Sequence, residues 1–133
     1  HGGLHSGLMM AQVTAAALTS ELKTLAHPAS VDTIPTSGNK EDHVSMSMAA
    51  ALKAAQVAEL ASGVLAVELL CAAEAIDFLS PLQTSAPLAR VHAAIRERVP
   101  RRDGDRPPAP DLDALARTIR SGALDHTVGP LVN

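Results

Sequence analysis

Leucine and alanine recur at helical spacing from the first residues onward. Leu4, Leu8, Ala11, Ala15, Leu18, Leu22 and Leu25 follow one another at steps of 4, 3, 4, 3, 4 and 3. The pattern predicts a long helix over about 5–26 with a heptad-like apolar seam. His27-Pro28 ends it, because the residue before a proline is driven out of the helical region. A second long helix is expected over about 45–79, its free N–H groups capped by side-chain oxygens among Asp42 to Ser45, and its end set by Ser80-Pro81. Along it, Val57, Leu60, Val64, Val67, Cys71 and Phe78 form one stripe, and Leu65, Leu69, Ala72, Ile76 and Leu79 form another. Two stripes predict contact on two sides. Ser85 with Pro87 opens a shorter helix over about 86–98, and Asp111 is expected to cap a last one over about 111–121 that stops near Gly122.

Composition sharpens this into an all-α fold of long antiparallel helices. Apolar residues make up 47% of the 133, yet the chain has one Phe and no Trp or Tyr. Large aromatic side chains normally supply much of a core's buried area, so small residues must let the helices approach closely. That predicts part of a multi-subunit helical bundle rather than a self-contained globule. The net charge of −3 gives no reason to expect nucleic acid or an anionic membrane as partner. The most apolar run, Val64 to Ile76, is broken by Glu68 and Glu74 and is shorter than the roughly 20 apolar residues a bilayer span needs. With a single cysteine, Cys71, no leader pattern and no span, cytoplasmic residence is expected.

Between the two long helices, residues 27–48 lack clear periodicity, and connections of this length are more often functional or disordered. Glu41 and Asp42 stand just ahead of the second helix, where the partial positive charge of its N-terminus favours carboxylates. From spacing alone both read as capping residues.

Three blocks add a more specific reading. They are Ser6-Gly7-Leu8-Met9-Met10-Ala11-Gln12-Val13-Thr14-Ala15-Ala16-Ala17-Leu18, then Leu25-Ala26-His27-Pro28-Ala29-Ser30-Val31-Asp32, then Glu41-Asp42-His43-Val44-Ser45-Met46. In this order they closely resemble the C-terminal part of the histidine ammonia-lyase family, strongly over residues 3–79 and weakly beyond. The resemblance implies that residues 1–133 are a C-terminal helical portion of such an enzyme, with an active-site loop at 27–44. It implies a homotetramer whose active sites draw on several subunits, and elimination of ammonia from L-histidine to give trans-urocanate. It also implies a methylidene-imidazolone cofactor, made by cyclisation of an internal Ala-Ser-Gly in the N-terminal portion that this chain lacks. That portion is the implied partner, and the chain alone is expected to be inactive.

The resemblance places Glu41 against the substrate's imidazole, where the phenylalanine and tyrosine lyases usually carry an amide. A carboxylate accepts a hydrogen bond from the ring N–H and favours its charged form more strongly than an amide does. Lys40 stands beside it where the histidine enzymes usually show glutamine, and is positioned to neutralise its charge. Two other functions stay open: a non-catalytic helical oligomerisation module, and a tyrosine or phenylalanine ammonia-lyase or aminomutase.

Ala61-Ser62-Gly63 repeats the letters that cyclise in the family, but it sits in register inside the second helix. Cyclisation needs a bent backbone, so no cofactor is expected there; Gly63 instead permits close helix approach at a cost of about 1 kcal/mol. His1 and His5 stand four apart with Gly2 and Gly3 between them, no His-Glu-x-x-His run exists, and no metal site is expected. Arg96, Arg98, Arg101 and Arg102, interrupted by Glu97, read as a solvated or subunit-facing surface. His27 and His43 are expected to hydrogen-bond within the loop, the methionines to pack, and Cys71 to be a buried, inert thiol.

Overall fold

The computed structural model describes residues 3–128, and every regular element among them is helical. Helix α1 runs Met9–Leu25, α2 Ser47–Phe78, α3 Ala86–Arg96, α4 Ala109–Arg120 and α5 Asp125–Val128. His1 lies outside the described residues, so the His1/His5 reading concerns a pair of which only His5 is described.

The axis of the fold is α2. Its 32 residues include eleven alanines, the residue with the highest intrinsic helix propensity, and they extend over about 48 Å. Helix α1 lies antiparallel along its first half. Lys53 Nζ donates to the His27 carbonyl, Gln56 Nε2 donates to Glu21 Oε1 at 3.1 Å, and Gly63 meets Leu18, so partners descend α1 as they climb α2. Leu8, Ala11, Ala15, Leu18, Leu22 and Leu25 are the shielded side of α1. A Cβ built on Gly63 would come within 2.9 Å of Leu18 Cδ1, so the glycine is what lets the two helices close at that point.

The second half of α2 carries the core. Ala66, Leu70 and Ala73 cluster with Ile95, Val99, Leu115 and Ala116 from the rest of the chain. Helix α4 also runs antiparallel to α2, its last residue Arg120 reaching Ser62 and Glu59. Charged groups bind the remaining connections. Glu74 Oε1 accepts from Arg96 Nη2 at 3.1 Å and from the Arg102 backbone N–H at 3.3 Å. Asp77 holds Arg96 Nη2 at 2.8 Å and His92 Nε2 at 2.9 Å. Asp111 takes both outer nitrogens of Arg106, at 3.1 and 2.9 Å, with Arg102 Nη1 at 3.7 Å.

Several expectations are corrected here. Helix α1 starts at Met9 rather than near residue 5, because Gly7 adopts φ +58° and the Ser6 N–H turns out to Asp105 Oδ2 at 2.7 Å; Leu4 is consequently exposed. The start of α2 has no side-chain cap: its N-cap is Met46, and Val44 is held in the preceding loop by Thr33. The stripe buried within this chain is Ser62, Ala66, Val67, Leu70, Ala73 and Glu74, while Leu65, Phe78 and Leu79 of the two predicted stripes are exposed. Asp111 is not the cap of α4. Pro108 is, and Asp111 is a buried first-turn residue committed to arginines. Arg96 and Arg102 are likewise no surface: their side chains are 14% and 6% exposed, and they pair with carboxylates of α2 and α4.

Candidate functional site

The connection from α1 to α2 is irregular but tied at three levels. At its start, Lys53 from the second turn of α2 donates to the His27 carbonyl. In its middle, Thr33 Oγ1 accepts the Val44 N–H at 2.9 Å and donates to the Val44 carbonyl at 3.0 Å. At its tip, Thr36 and Glu41 form an antiparallel bridge, with Thr36 N–H to the Glu41 carbonyl at 3.0 Å and the reverse bond at 3.4 Å. Between them Ser37, Gly38 and Asn39 take φ of 54°, 63° and 64°. Three consecutive left-handed residues reverse the chain tightly, and glycine and asparagine are the types that adopt this region most readily.

This turn presents Glu41 and Lys40. Both are exposed, and no ion pair joins them among the described residues. The Glu41 carboxylate thus stands exposed on the turn. Below the loop lies a cleft of about 460 Å³, lined among others by His27, Pro28, Asp32, Met46 and Lys53, with Glu41 and Lys40 not in its wall. His27 serves the loop through its backbone carbonyl.

The Ala61-Ser62-Gly63 triplet lies within α2, helical on both sides. Ser62 is buried, donates its hydroxyl to the Glu59 carbonyl at 2.7 Å, and accepts from Arg120 Nη1 at 3.3 Å. These residues do not fit a cyclised methylidene-imidazolone, since the ring-closing approach of nitrogen to carbonyl is incompatible with the helical backbone. Among the described residues no group of three or more His, Cys, Asp or Glu suits a metal ion, and no helix is long and apolar enough to cross a membrane. Cys71 is half-buried; burial, and secondarily the Glu74 carboxylate, push its thiol pKa up, which disfavours the reactive thiolate.

Thr33 and Lys53, which shape the loop, were not among the candidate residues. Their partners are backbone groups far along the chain, and no spacing rule marks such bonds.

With this geometry in view, comparison with known proteins decides the family. The family model described as aromatic amino acid lyase matches residues 1–97. The chain belongs to the aromatic amino acid lyase family. Within it, the histidine ammonia-lyase of Symbiobacterium thermophilum is 53% identical over 135 aligned positions, covering 98% of this chain and 27% of that protein. The crystal structure of histidine ammonia-lyase from Trypanosoma cruzi superposes with a TM-score of 0.93 at 46% identity, over 100% of this chain and 26% of that one. The tyrosine aminomutase of Streptomyces globisporus superposes at 0.89 with 35% identity, over 96% of this chain and 24% of that one. The chain thus spans about a quarter of the length of the relatives it matches.

Proposed function

We propose that this chain forms one wall of the active site of an ammonia-lyase that converts L-histidine to trans-urocanate. The turn at residues 36–41 carries Glu41 into that site, within the active-site loop 27–44. The observation that supports the reading best is the exposed Glu41 carboxylate on a tied turn, in a chain about half identical to histidine ammonia-lyases. There the carboxylate accepts a hydrogen bond from the substrate's imidazole N–H and favours its charged form. Lys40, beside it, contributes positive charge at the rim.

The electrophilic methylidene-imidazolone belongs to the N-terminal portion of the complete enzyme, a cytoplasmic homotetramer in this reading. That portion activates the substrate; the residues here bind and orient it. The exposed apolar side chains of α1 and α2, Met9, Met10, Val13, Met48 and Leu52 among them, are the surfaces that the rest of the assembly covers. The tyrosine aminomutase likeness is the less identical of the two structural matches, which favours histidine over tyrosine as substrate.

The test is urocanate formation, followed by its ultraviolet absorbance, with the chain alone and with the N-terminal portion added. Turnover is expected only in the second case. Urocanate produced by the isolated chain, or none from the combination, would overturn the proposal.

A further inference from the structure

A carboxylate on an exposed turn selects a substrate only if the turn is held at a fixed height. The backbone of this loop cannot do that unaided. Thr36 stands opposite Glu41, and three steps further down both arms of the loop Thr33 meets Val44, in the same antiparallel register. Between these two levels Pro35 keeps Ile34 extended; it falls in register with Asp42, where an antiparallel ladder makes no bonds, and the pair due to bond next is Ile34 with His43. Asp42 and His43 make no backbone hydrogen bond among the described residues. The ladder is therefore interrupted directly beneath the turn that bears Glu41. The Thr33 hydroxyl bridges the gap: one side-chain oxygen satisfies both the N–H and the carbonyl of Val44, at 2.9 and 3.0 Å, in a part-buried setting. A single side-chain group thus ties the two arms one step beyond the pair of backbone bonds that is absent.

We infer that Thr33 is a positioning residue for Glu41: its hydroxyl fixes the base of the turn and so sets where the carboxylate meets the substrate. This rests on the role proposed for Glu41 above. A threonine that merely stabilised the fold would affect every variant equally, whereas a threonine acting through Glu41 matters only while Glu41 is present.

The experiment is a double-mutant cycle in the enzyme assembled from this chain and the N-terminal portion, with Thr33→Val, Glu41→Gln and their combination, and Thr33→Ser as the conservative control. Thr33→Val is expected to lower kcat/KM for L-histidine roughly tenfold, the loss of two ordinary hydrogen bonds. Thr33→Ser should stay within about twofold of the unaltered enzyme, since it keeps the hydroxyl. In the Glu41→Gln background, Thr33→Val should change kcat/KM less than about twofold. Equal losses in both backgrounds would overturn the inference while leaving the Glu41 reading intact. No effect of Glu41→Gln itself would instead overturn that reading and the role of Thr33 with it. The tether is tested separately by amide hydrogen exchange in the unaltered protein, where Val44 should be protected and Asp42 and His43 should exchange freely. Exchange of all three at one rate would refute it even if no Thr33 variant assembled.

Discussion

Replacing Asp111 by alanine tests how much of the fold depends on charges buried between α2, α4 and the connection at 97–108. Asp111 is 5% exposed, and its carboxylate faces Arg106 through one hydrogen bond at 3.1 Å and one ion contact at 2.9 Å, and Arg102 across 3.7 Å. The Arg102 side chain is only 6% exposed, and its remaining carboxylate, Asp105, lies at 3.6 Å. Removing one partner of a buried ion pair typically costs about 3–5 kcal/mol, because the other charge is left without compensation. Here the lower end applies. Arg106 is a third exposed and regains water, and Arg102 keeps Asp105 and the Arg106 carbonyl. A loss of about 3 kcal/mol corresponds to a fall in Tm of about 10 °C for a chain of this size. Urea unfolding of the purified chain, followed by far-UV circular dichroism, reads the loss as a lower midpoint at constant m. Asp111→Leu combined with Arg102→Met should recover most of it, since an apolar pair of similar volume replaces a buried ion pair at little net cost. A change below about 1 kcal/mol for Asp111→Ala would mean that the pair is solvated, and the buried-charge account of α4 would fail.

Other consequences are independent of that network. Leu70, fully buried at the centre of the α2 core, should cost about 3 kcal/mol on truncation to alanine, read from the same unfolding midpoint; a shift under about 1 kcal/mol would place the core elsewhere. Cys71, its thiol pKa raised by burial and by Glu74, should react with iodoacetamide more slowly in the native protein than in denaturant at mildly alkaline pH. Its folded-state pKa lies above the unfolded one, so its contribution to stability is complete below the unfolded thiol's pKa and is lost as pH rises through the folded value. Equal alkylation rates in the two states would contradict the shift.

The long helices are legible because an amphipathic seam is a periodic signal, and the shielded side of α1 follows the leucine and alanine steps. The α2 core is less so. Its buried stripe contains Ser62, Glu74 and small alanines, which a search for large apolar residues passes over in favour of Leu65 and Leu79. Asp111 shows how one pattern carries two meanings: a carboxylate at the head of a helix reads as a cap, and only the arrival of Arg102 and Arg106 makes it a buried counter-charge. Arg98 and Arg101 are exposed as expected, but Arg96 and Arg102 mislead for the same reason, since their partners Glu74, Asp77 and Asp111 are distant in sequence. In the loop, Glu41 is visible through a family block, but Thr33 is not. Its function lies in two bonds to one residue across a turn.

Glu41→Gln in the assembled enzyme tests the central claim most directly. The substitution preserves shape and removes charge, so a carboxylate that faces the imidazole should show as a roughly 10- to 100-fold fall in kcat/KM for L-histidine, the worth of one charge-assisted hydrogen bond. Unchanged histidine turnover in the variant would contradict the claim that this loop reads the substrate's ring.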